Sequence, residues 1–432
     1  MINCSREELE YMIDVIQESK DFKKLSDKTQ NFPDPKHQEV FTRQDHTLDV
    51  VANALKIADA ISNEEKIINA LNKKGRALNE QEDLLLKKLR NINEDKVRLI
   101  AFCHDIGHTP FGHHAEHFFD RLLKLFGSDF THYQHSTRVV KNIFESKGIR
   151  MPEGLGAAIE AHSSTSQSDE IKRTNHIEPH IVRRSDKITY MIQDLDDMDR
   201  LGLFSDKDKE ELRNSYIARA REWVEEFGLD GDSMAKVETD WAKQFDEFFS
   251  LTLDQKKAYV IDDIGTTTIS NYINGKEKIE SSTKIKTLLE EMNAATFRVI
   301  SRDETKKEDK TNVILLRLWW EIYNNQDKYK EKTERWKDYT WEERCVYYLC
   351  EHGVQEIEKM YQDLEEERAP KDNEFKAFVR RLSDKKDKLV RKYVKEERAI
   401  GKGYTIDVIQ KDANKRAKGI RDLQSGSKEI DR

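Results

Sequence analysis

An all-α fold is the expectation for this chain, and three features of the sequence lead to it. Breakers are scarce: 6 Pro and 17 Gly stand in 432 residues, and these are the residues that interrupt helices most strongly. Charged residues make up 37% of the chain, equal to the apolar share, with much Glu, Lys, Leu and Ala, all good helix formers. Where apolar residues recur, they do so three and four apart, the period of a helix with one buried face. The expected architecture is a helical core over residues 1–204 with an inserted helical arm at about 62–95. A long, charged, helical region over 205–432 follows, with an oligomerisation or regulatory role.

Residues 1–35 read as a short helix and then a loop through Asn31-Phe32-Pro33-Asp34-Pro35. From Asp45 to about Ile61 the residues Leu48, Val51, Ala52, Leu55 and Ala58 keep helical spacing, and Asp45 or Thr47 is the candidate cap. Residues 62–95 are strongly polar, and Gly75 divides them into two helical arms. A helix then spans about Glu94 to Asp105, with Val97, Ile100, Ala101 and His104 on one stripe; Gly107 and Pro110 stop it. The next begins near Gly112 and carries His113, Glu116, His117 and Asp120. Further helices are expected over Thr131–Glu145, Ala157–His162 and Ile181–Met198, with Pro179 at a helix start. Beyond residue 205 aromatic clusters stand at Leu315–Tyr323 and Trp336–Tyr348, and the polar stretch Asp412–Arg432 is expected to be partly disordered.

Several function classes are disfavoured at once. The formal net charge is -8, so no global basic field points to nucleic acid, although a local patch stays open. Neither the P-loop pattern nor a G-x-G-x-x-G after a strand is present. No apolar run approaches the ~20 residues of a membrane span, and the N-terminus lacks a signal-peptide apolar region. Cys4, Cys103, Cys345 and Cys350 are scattered and form no C-x-x-C pair, which reads as a reduced, cytoplasmic protein.

The densest chemistry lies in His104-Asp105-Ile106-Gly107-His108-Thr109-Pro110-Phe111-Gly112-His113-His114-Ala115-Glu116. Seven of the 13 histidines fall between His104 and His135. Histidine and carboxylate hold divalent metals and move protons near neutral pH, and a solvated helix face does not require such a concentration. Four candidate ligands lie on three helices: His46, the His104-Asp105 doublet and Asp186. Two imidazoles and two carboxylates suit a divalent ion such as Mn²⁺, Mg²⁺, Fe, Ni or Zn, and the donor set alone does not choose among them. Asp186, Tyr190 and Asp194 are spaced four apart and share one helix face, with Lys187 beside them; an ordinary solvated acidic face is the competing reading. His113 and Glu116 are three apart and within reach of each other, either as a carboxylate-tuned general acid or as a helix-surface ion pair. Arg43, one turn before His46, is either a phosphate clamp or a surface arginine. Cys103 reads as core packing.

Four ordered motifs resemble one family. Leu25-Ser26-Asp27-Lys28-Thr29-Gln30-Asn31-Phe32 is similar to an L-x-x-K-T-Q-V-F element, and Arg43-Gln44-Asp45-His46-Thr47-Leu48-Asp49-Val50 to R-x-x-H-S-L-E-V. His104 to Glu116 is similar to H-D-I-G-H-x-P-F-G-H-x-x-E, and Asp186-Lys187-Ile188-Thr189-Tyr190 with Asp194 to D-D-I-A-Y followed by Asp. The pattern resembles the HD-domain metal phosphohydrolases and, within them, the deoxynucleotide triphosphate triphosphohydrolases, the dGTPase-like enzymes. That resemblance implies an HD-domain core in which His46, His104, Asp105 and Asp186 bind the metal. It implies that His113 with Glu116 acts at the α-phosphate, that His108 contacts the triphosphate, and that Arg43 and Lys187 hold phosphate oxygens. Gln30, Tyr190 and Asp194 would gather at the sugar 3′-hydroxyl, Tyr190 crowding the 2′ position, and His135 falls at a polar position near the site. The reaction implied is dNTP plus water giving deoxynucleoside and inorganic triphosphate, in a closed homo-oligomer activated by a nucleotide or by single-stranded DNA.

The chain departs from the pattern at Lys187, where the motif has a second Asp, and at Ser136, where many bacterial relatives have Asn. An A-G-M-T-D-x-Y-A-like element is absent, so the motifs do not cover residues 205–432. Two other readings compete: an HD phosphohydrolase acting on a different nucleotide, and a nucleotide sensor or single-strand binder on the same fold. Gln30 and Asp194 speak against the first, because they match a sugar clamp. The complete ligand set and the His113/Glu116 pair speak against the second.

Overall fold

The structure is a computed structural model that describes residues 2–30, 40–161, 176–226, 231–304 and 307–367. Every regular element among them is helical, and the β feature there is a bridge between Thr29 and Thr42. The all-α expectation therefore holds. The loop expected at Asn31–Pro35, the polar loop at 163–175 and the tail Asp412–Arg432 lie outside the described residues.

Two compact units divide the chain. One comprises Met1–Val299 with Tyr347–Val354, the other Ile300–Val346 with Gln355–Arg432. In the second unit the two aromatic clusters meet. Trp319 is buried and stacks on Tyr323 with ring centroids 4.8 Å apart. The Trp341 indole donates to the Tyr323 carbonyl at 2.9 Å, which satisfies the one polar atom of an otherwise apolar ring.

The first unit is built around the helix Arg43–Ser62, which packs against Glu94–Cys103, Glu178–Arg200 and Leu253–Ile273. Its start is a capping box at Thr42. Thr42 Oγ1 accepts from the Asp45 N–H at 3.1 Å, and Asp45 Oδ2 accepts from the Thr42 N–H at 3.0 Å. The cap is thus Thr42, in place of Asp45 or Thr47. The chain leaves the Thr29–Thr42 bridge in an extended conformation, so the helix begins earlier than its apolar pattern. Asp45 closes the box from the third helical position, and Thr47 is buried with its hydroxyl donating to the Arg43 carbonyl at 2.8 Å.

The polar insertion forms two helices, Glu64–Lys74 and Glu80–Arg90, capped by Asn63 and Asn79. Gly75, at φ +70°, ends the first in the left-handed region that favours glycine. Both arms lie on the helix Leu253–Ile273. Lys66 reaches Asp262 at 2.6 Å, Lys74 reaches Asn274 at 2.9 Å, and Lys88 reaches Glu277 just past that helix at 2.6 Å.

The helix Glu94–Cys103 buries Val97, Leu99, Ile100, Ala101, Phe102 and Cys103. Burial pushes the Cys103 thiol pKa well up, as befits a packed residue. The chain then turns through Gly107, whose N–H donates to Ser136 Oγ at 3.0 Å. A Cβ on Gly107 would lie 2.4 Å from the Ser136 nitrogen and 2.6 Å from the His135 carbonyl carbon. Only glycine lets the loop seat on the helix His132–Ser146.

The helix Glu178–Arg200 begins with Pro179 in its first turn and meets Arg43–Ser62 through buried polar pairs. Ser185 Oγ donates to the Val50 carbonyl at 2.7 Å, and Asn53 Nδ2 donates to Thr189 Oγ1 at 2.9 Å. Near its C-terminus the buried Asp197 accepts from the Phe41 N–H at 3.3 Å. Burial, aided by the charge of Asp194, pushes the Asp197 carboxyl up to about 8 against the pull of that N–H.

Gly107→Ala is expected to destabilise the fold by about 1–3 kcal/mol through overpacking against helix backbone, read from urea unfolding; an unchanged midpoint would contradict the close approach. Asp197 supplies a pH signature. Between roughly pH 4, where an ordinary carboxyl ionises, and about 8, the folded chain keeps a proton that the unfolded chain has released. Stability contributed by Asp197 is therefore full below that window and lost as pH rises through it. Asp197→Asn should flatten the fall of Tm across this range, and identical slopes for variant and parent would refute the assignment.

Candidate functional site

Three elements of the first unit bring the predicted metal ligands His46, His104 and Asp186 together. His46 is buried on the Arg43–Ser62 helix, His104 caps the C-terminus of Glu94–Cys103, and Asp186 faces them from Glu178–Arg200. His46 Nε2 lies 3.0 Å from Asp186 Oδ1, and His104 Nε2 lies 3.9 Å from the same oxygen. One nitrogen or oxygen from each of the three falls within 4.8 Å of the others.

The distal ring nitrogens fix the tautomers. His104 Nδ1 lies 2.7 Å from the Ala101 carbonyl, which can only accept, so Nδ1 carries the hydrogen and Nε2 turns its lone pair inward. His46 Nδ1 lies 2.9 Å from Gln193 Oε1. Burial works against charge on His46, yet the hydrogen bond and charge of Asp186 outweigh it and raise the pKa. Two imidazole nitrogens converging with a carboxylate oxygen make a donor set that fits a divalent metal.

Asp105 stands between this trio and a second cluster. Its Oδ2 accepts from Arg43 at 2.7 Å and lies 3.8 Å from His104 Nε2, while Oδ1 lies 3.7 Å from His132 Nε2. Burial alone would raise its pKa; His104, His108, Arg43 and His132 together hold it well below the usual carboxylate range. Arg43 is itself buried, with its other terminal nitrogen donating to the Gln30 carbonyl at 3.0 Å. It is therefore an interior arginine joined to Asp105, not a surface one.

The second cluster comprises His108, His113, Glu116 and His132. His113 Nδ1 lies 2.8 Å from Glu116 Oε2, and His132 Nδ1 lies 2.8 Å from Glu116 Oε1, which also accepts from the His132 backbone N–H at 2.8 Å. His108 stacks on His132 at 4.6 Å. Glu116 is buried, which opposes its charge, but the bonds from His113 and His132 hold its pKa far below the ordinary value. His132 moves the other way: burial disfavours its charge, and Glu116 more than compensates. His108, with no carboxylate hydrogen bond, is driven well below its usual pKa by burial and by Arg43. The His113 side chain is 56% exposed, so this imidazole is the member open to solvent.

The loop between the clusters is held from behind by Lys28, a buried lysine whose Nζ donates to the His108 carbonyl at 2.7 Å and to the Cys350 carbonyl at 2.8 Å. Gln30 is buried nearby, and its Oε1 takes no hydrogen bond from the described residues. The same is true of Arg43 Nε and His108 Nε2. Tyr190 is half-buried, its phenol pKa raised by burial and by Asp186 and Asp194, and Asp194 is buried one turn on. Lys187 is half-buried beside Asp186.

His135 is placed differently. It is buried, stacks on Tyr347 at 4.6 Å and lies against Phe130 at 5.5 Å. The second histidine on Glu116, beside His113, is His132, one turn before His135 on the same helix, which the motif reading passed over. Its sequence signal was membership of the dense histidine run, and only the angle around the helix separates it from His135. Gln193 was also missed; nothing distinguishes one glutamine on a mixed helix until its partner is in place.

Comparison with known proteins agrees with this geometry. Residues 43–191 match the HD domain. The chain is 27% identical over 336 residues to a deoxyguanosinetriphosphate triphosphohydrolase-like protein of Caldanaerobacter subterraneus subsp. tengcongensis, covering 77% of each chain. Proteins of the same name from Desulfatibacillum aliphaticivorans and Clostridium tetani are 31% and 30% identical over 196 residues, with under half of either chain aligned. The matched segment brackets His46, the His104-Asp105 doublet and Asp186, while Lys28 and Gln30 precede it and Asp194 follows it. Residues 43–191 thus carry an HD domain, and the chain is similar to deoxyguanosinetriphosphate triphosphohydrolase-like proteins.

Proposed function

We propose that the protein hydrolyses deoxynucleoside triphosphates to deoxynucleoside and inorganic triphosphate, with a divalent metal held by His46, His104, Asp105 and Asp186. The observation that carries this reading is the sharing of Asp105 between the inward-facing trio and the His108–His113–Glu116–His132 cluster. Metal ligands and a proton-transfer group thereby lie side by side, as ester hydrolysis requires. When bound, a divalent ion would polarise a phosphoryl oxygen and acidify a water; Mn²⁺ or Mg²⁺ is the first candidate, with Fe, Ni and Zn compatible.

The chain's own residues would do the rest. In the net reaction the α-phosphorus gains a bond to the oxygen of water and loses its bond to the 5′ oxygen, which departs as an alcohol. His113 Nδ1 is engaged by Glu116, which leaves Nε2 to deliver the proton to that oxygen. His132, on the other Glu116 oxygen, keeps the carboxylate ionised and oriented. The buried polar atoms Gln30 Oε1, Arg43 Nε and His108 Nε2 call for partners. A triphosphate at Arg43, His108 and Lys187, and a sugar hydroxyl at Gln30, Tyr190 and Asp194, would supply them. His135 would support this wall from its stack on Tyr347. Activation by a nucleotide or single-stranded DNA, a closed homo-oligomer and a cytoplasmic setting belong to the same proposal. No described helix is long and apolar enough to cross a membrane.

The test is purified chain with Mn²⁺ or Mg²⁺ and each dNTP, singly and mixed, with products separated by ion exchange. Deoxynucleoside with triphosphate is expected; orthophosphate or pyrophosphate would move the cut away from the 5′ ester and overturn the role of His113. His113→Ala and His132→Ala should each lower kcat by about 10²–10⁴ while dNTP binding persists. Near-parental rates in either would remove that residue from the mechanism. Tyr190→Ala should narrow the preference for dNTP over NTP, and unchanged selectivity would show that the phenol does not police the 2′ position.

A further inference from the structure

We propose that Lys257 is a positioning residue for the metal ligand His46, acting through Asp49 and Gln193. The proposal rests on the reading of His46 as a ligand and extends the site to the helix Leu253–Ile273, beyond the matched HD segment. Lys257 is buried, and its Nζ lies 2.6 Å from Asp49 Oδ2. That oxygen also accepts from Gln193 Nε2 at 2.7 Å, and Gln193 Oε1 faces His46 Nδ1 at 2.9 Å. Gln193 and His46 are fully buried. The other carboxylate near Lys257, Asp254, is 3.8 Å away and its side chain is exposed.

Chemistry gives this chain a direction. A carboxylate can only accept, so Asp49 obliges Gln193 to turn its NH₂ outward and its carbonyl oxygen inward. A carbonyl oxygen can only accept, so His46 Nδ1 must carry the hydrogen. Nε2, on the side of Asp186 and His104, is then the nitrogen whose lone pair would face a metal bound there. A flipped amide would present NH₂ to Nδ1, shift the hydrogen to Nε2 and remove the donor. Lys257 completes the sequence by donating to the Asp49 carboxylate, which holds that oxygen in place against Gln193. Burying an ammonium group is costly without such a partner, and the helix carrying it is brought close at Gly265. A Cβ there would fall 2.9 Å from the Ala60 Cβ. Residues one layer behind metal ligands commonly set affinity in this way.

The experiment counts free Mn²⁺ by electron paramagnetic resonance during titration of metal-stripped full-length chain, at a temperature well below the melting point of each variant. Lys257→Met should weaken Mn²⁺ binding by roughly 10–100-fold, and Lys257→Arg, which still donates to Asp49, should retain it. A lowered Tm in Lys257→Met with parental Mn²⁺ affinity would make the pair a helix clamp only and overturn the proposal. Asp49→Asn decides the same question should Lys257→Met not fold. It keeps the side-chain shape but no longer dictates the amide orientation, so weakened Mn²⁺ binding is expected and unchanged binding overturns the relay. Parental protein that takes up no Mn²⁺ would instead overturn the metal reading, an outcome read on the parent alone.

Discussion

Register between the helices Arg43–Ser62 and Glu178–Arg200 is the constraint on which the site depends. Ser185 to the Val50 carbonyl, Asn53 to Thr189, and His46 to both Asp186 and Gln193 are buried contacts between the same two helices. Their partners recur at three- and four-residue steps on each helix, so all lie along one seam. A net gain of about 0.5–1.5 kcal/mol per hydrogen bond is modest. The penalty for a wrong register is larger, because a slip of one turn, about 5.4 Å, would strand every one of these polar groups in the interior at once. Apolar packing would tolerate such a slip; the polar seam does not.

Charge at the site is held by mutual compensation. Asp105 and Glu116 are buried carboxylates and would be driven neutral by burial alone. Arg43 on Asp105, and His113 and His132 on Glu116, keep both ionised. Buried pairs of this kind contribute little to stability relative to apolar packing, while removal of one member leaves an uncompensated charge. The arrangement therefore reads as one maintained for chemistry. It also accounts for the opposite behaviour of two stacked histidines: His132 has a carboxylate partner and a raised pKa, whereas His108 has an arginine nearby and a lowered one.

Arg43 illustrates how local and tertiary signals divide. One turn before His46, it invited the reading of a phosphate clamp or a surface cation. The fold buries it and joins it to Asp105 and the Gln30 carbonyl. Which of these a lone arginine will be is set by the segments packed over it, and those come from residues 28–30 and 104–105, remote in sequence from position 43. The insertion shows the same division. Its two helices and their break were legible from polarity and Gly75, whereas their Asn63 and Asn79 caps and their seat on Leu253–Ile273 were not.

The sequence by itself determined the helical class, the helix carrying His46, the stop after His104-Asp105, the new start at Gly112 and the His113/Glu116 pair. Each of these follows from spacing, capping or breaker chemistry within a few residues, where backbone geometry leaves few alternatives. Tertiary structure decided what requires two remote segments to meet. It set His132 on Glu116 beside His113, made Thr42 the helix cap through its bridge to Thr29, and brought Gln193, Asp49 and Lys257 behind His46. Helical periodicity places a residue on a face, but the identity of the surface opposite that face comes from packing between elements far apart in the chain.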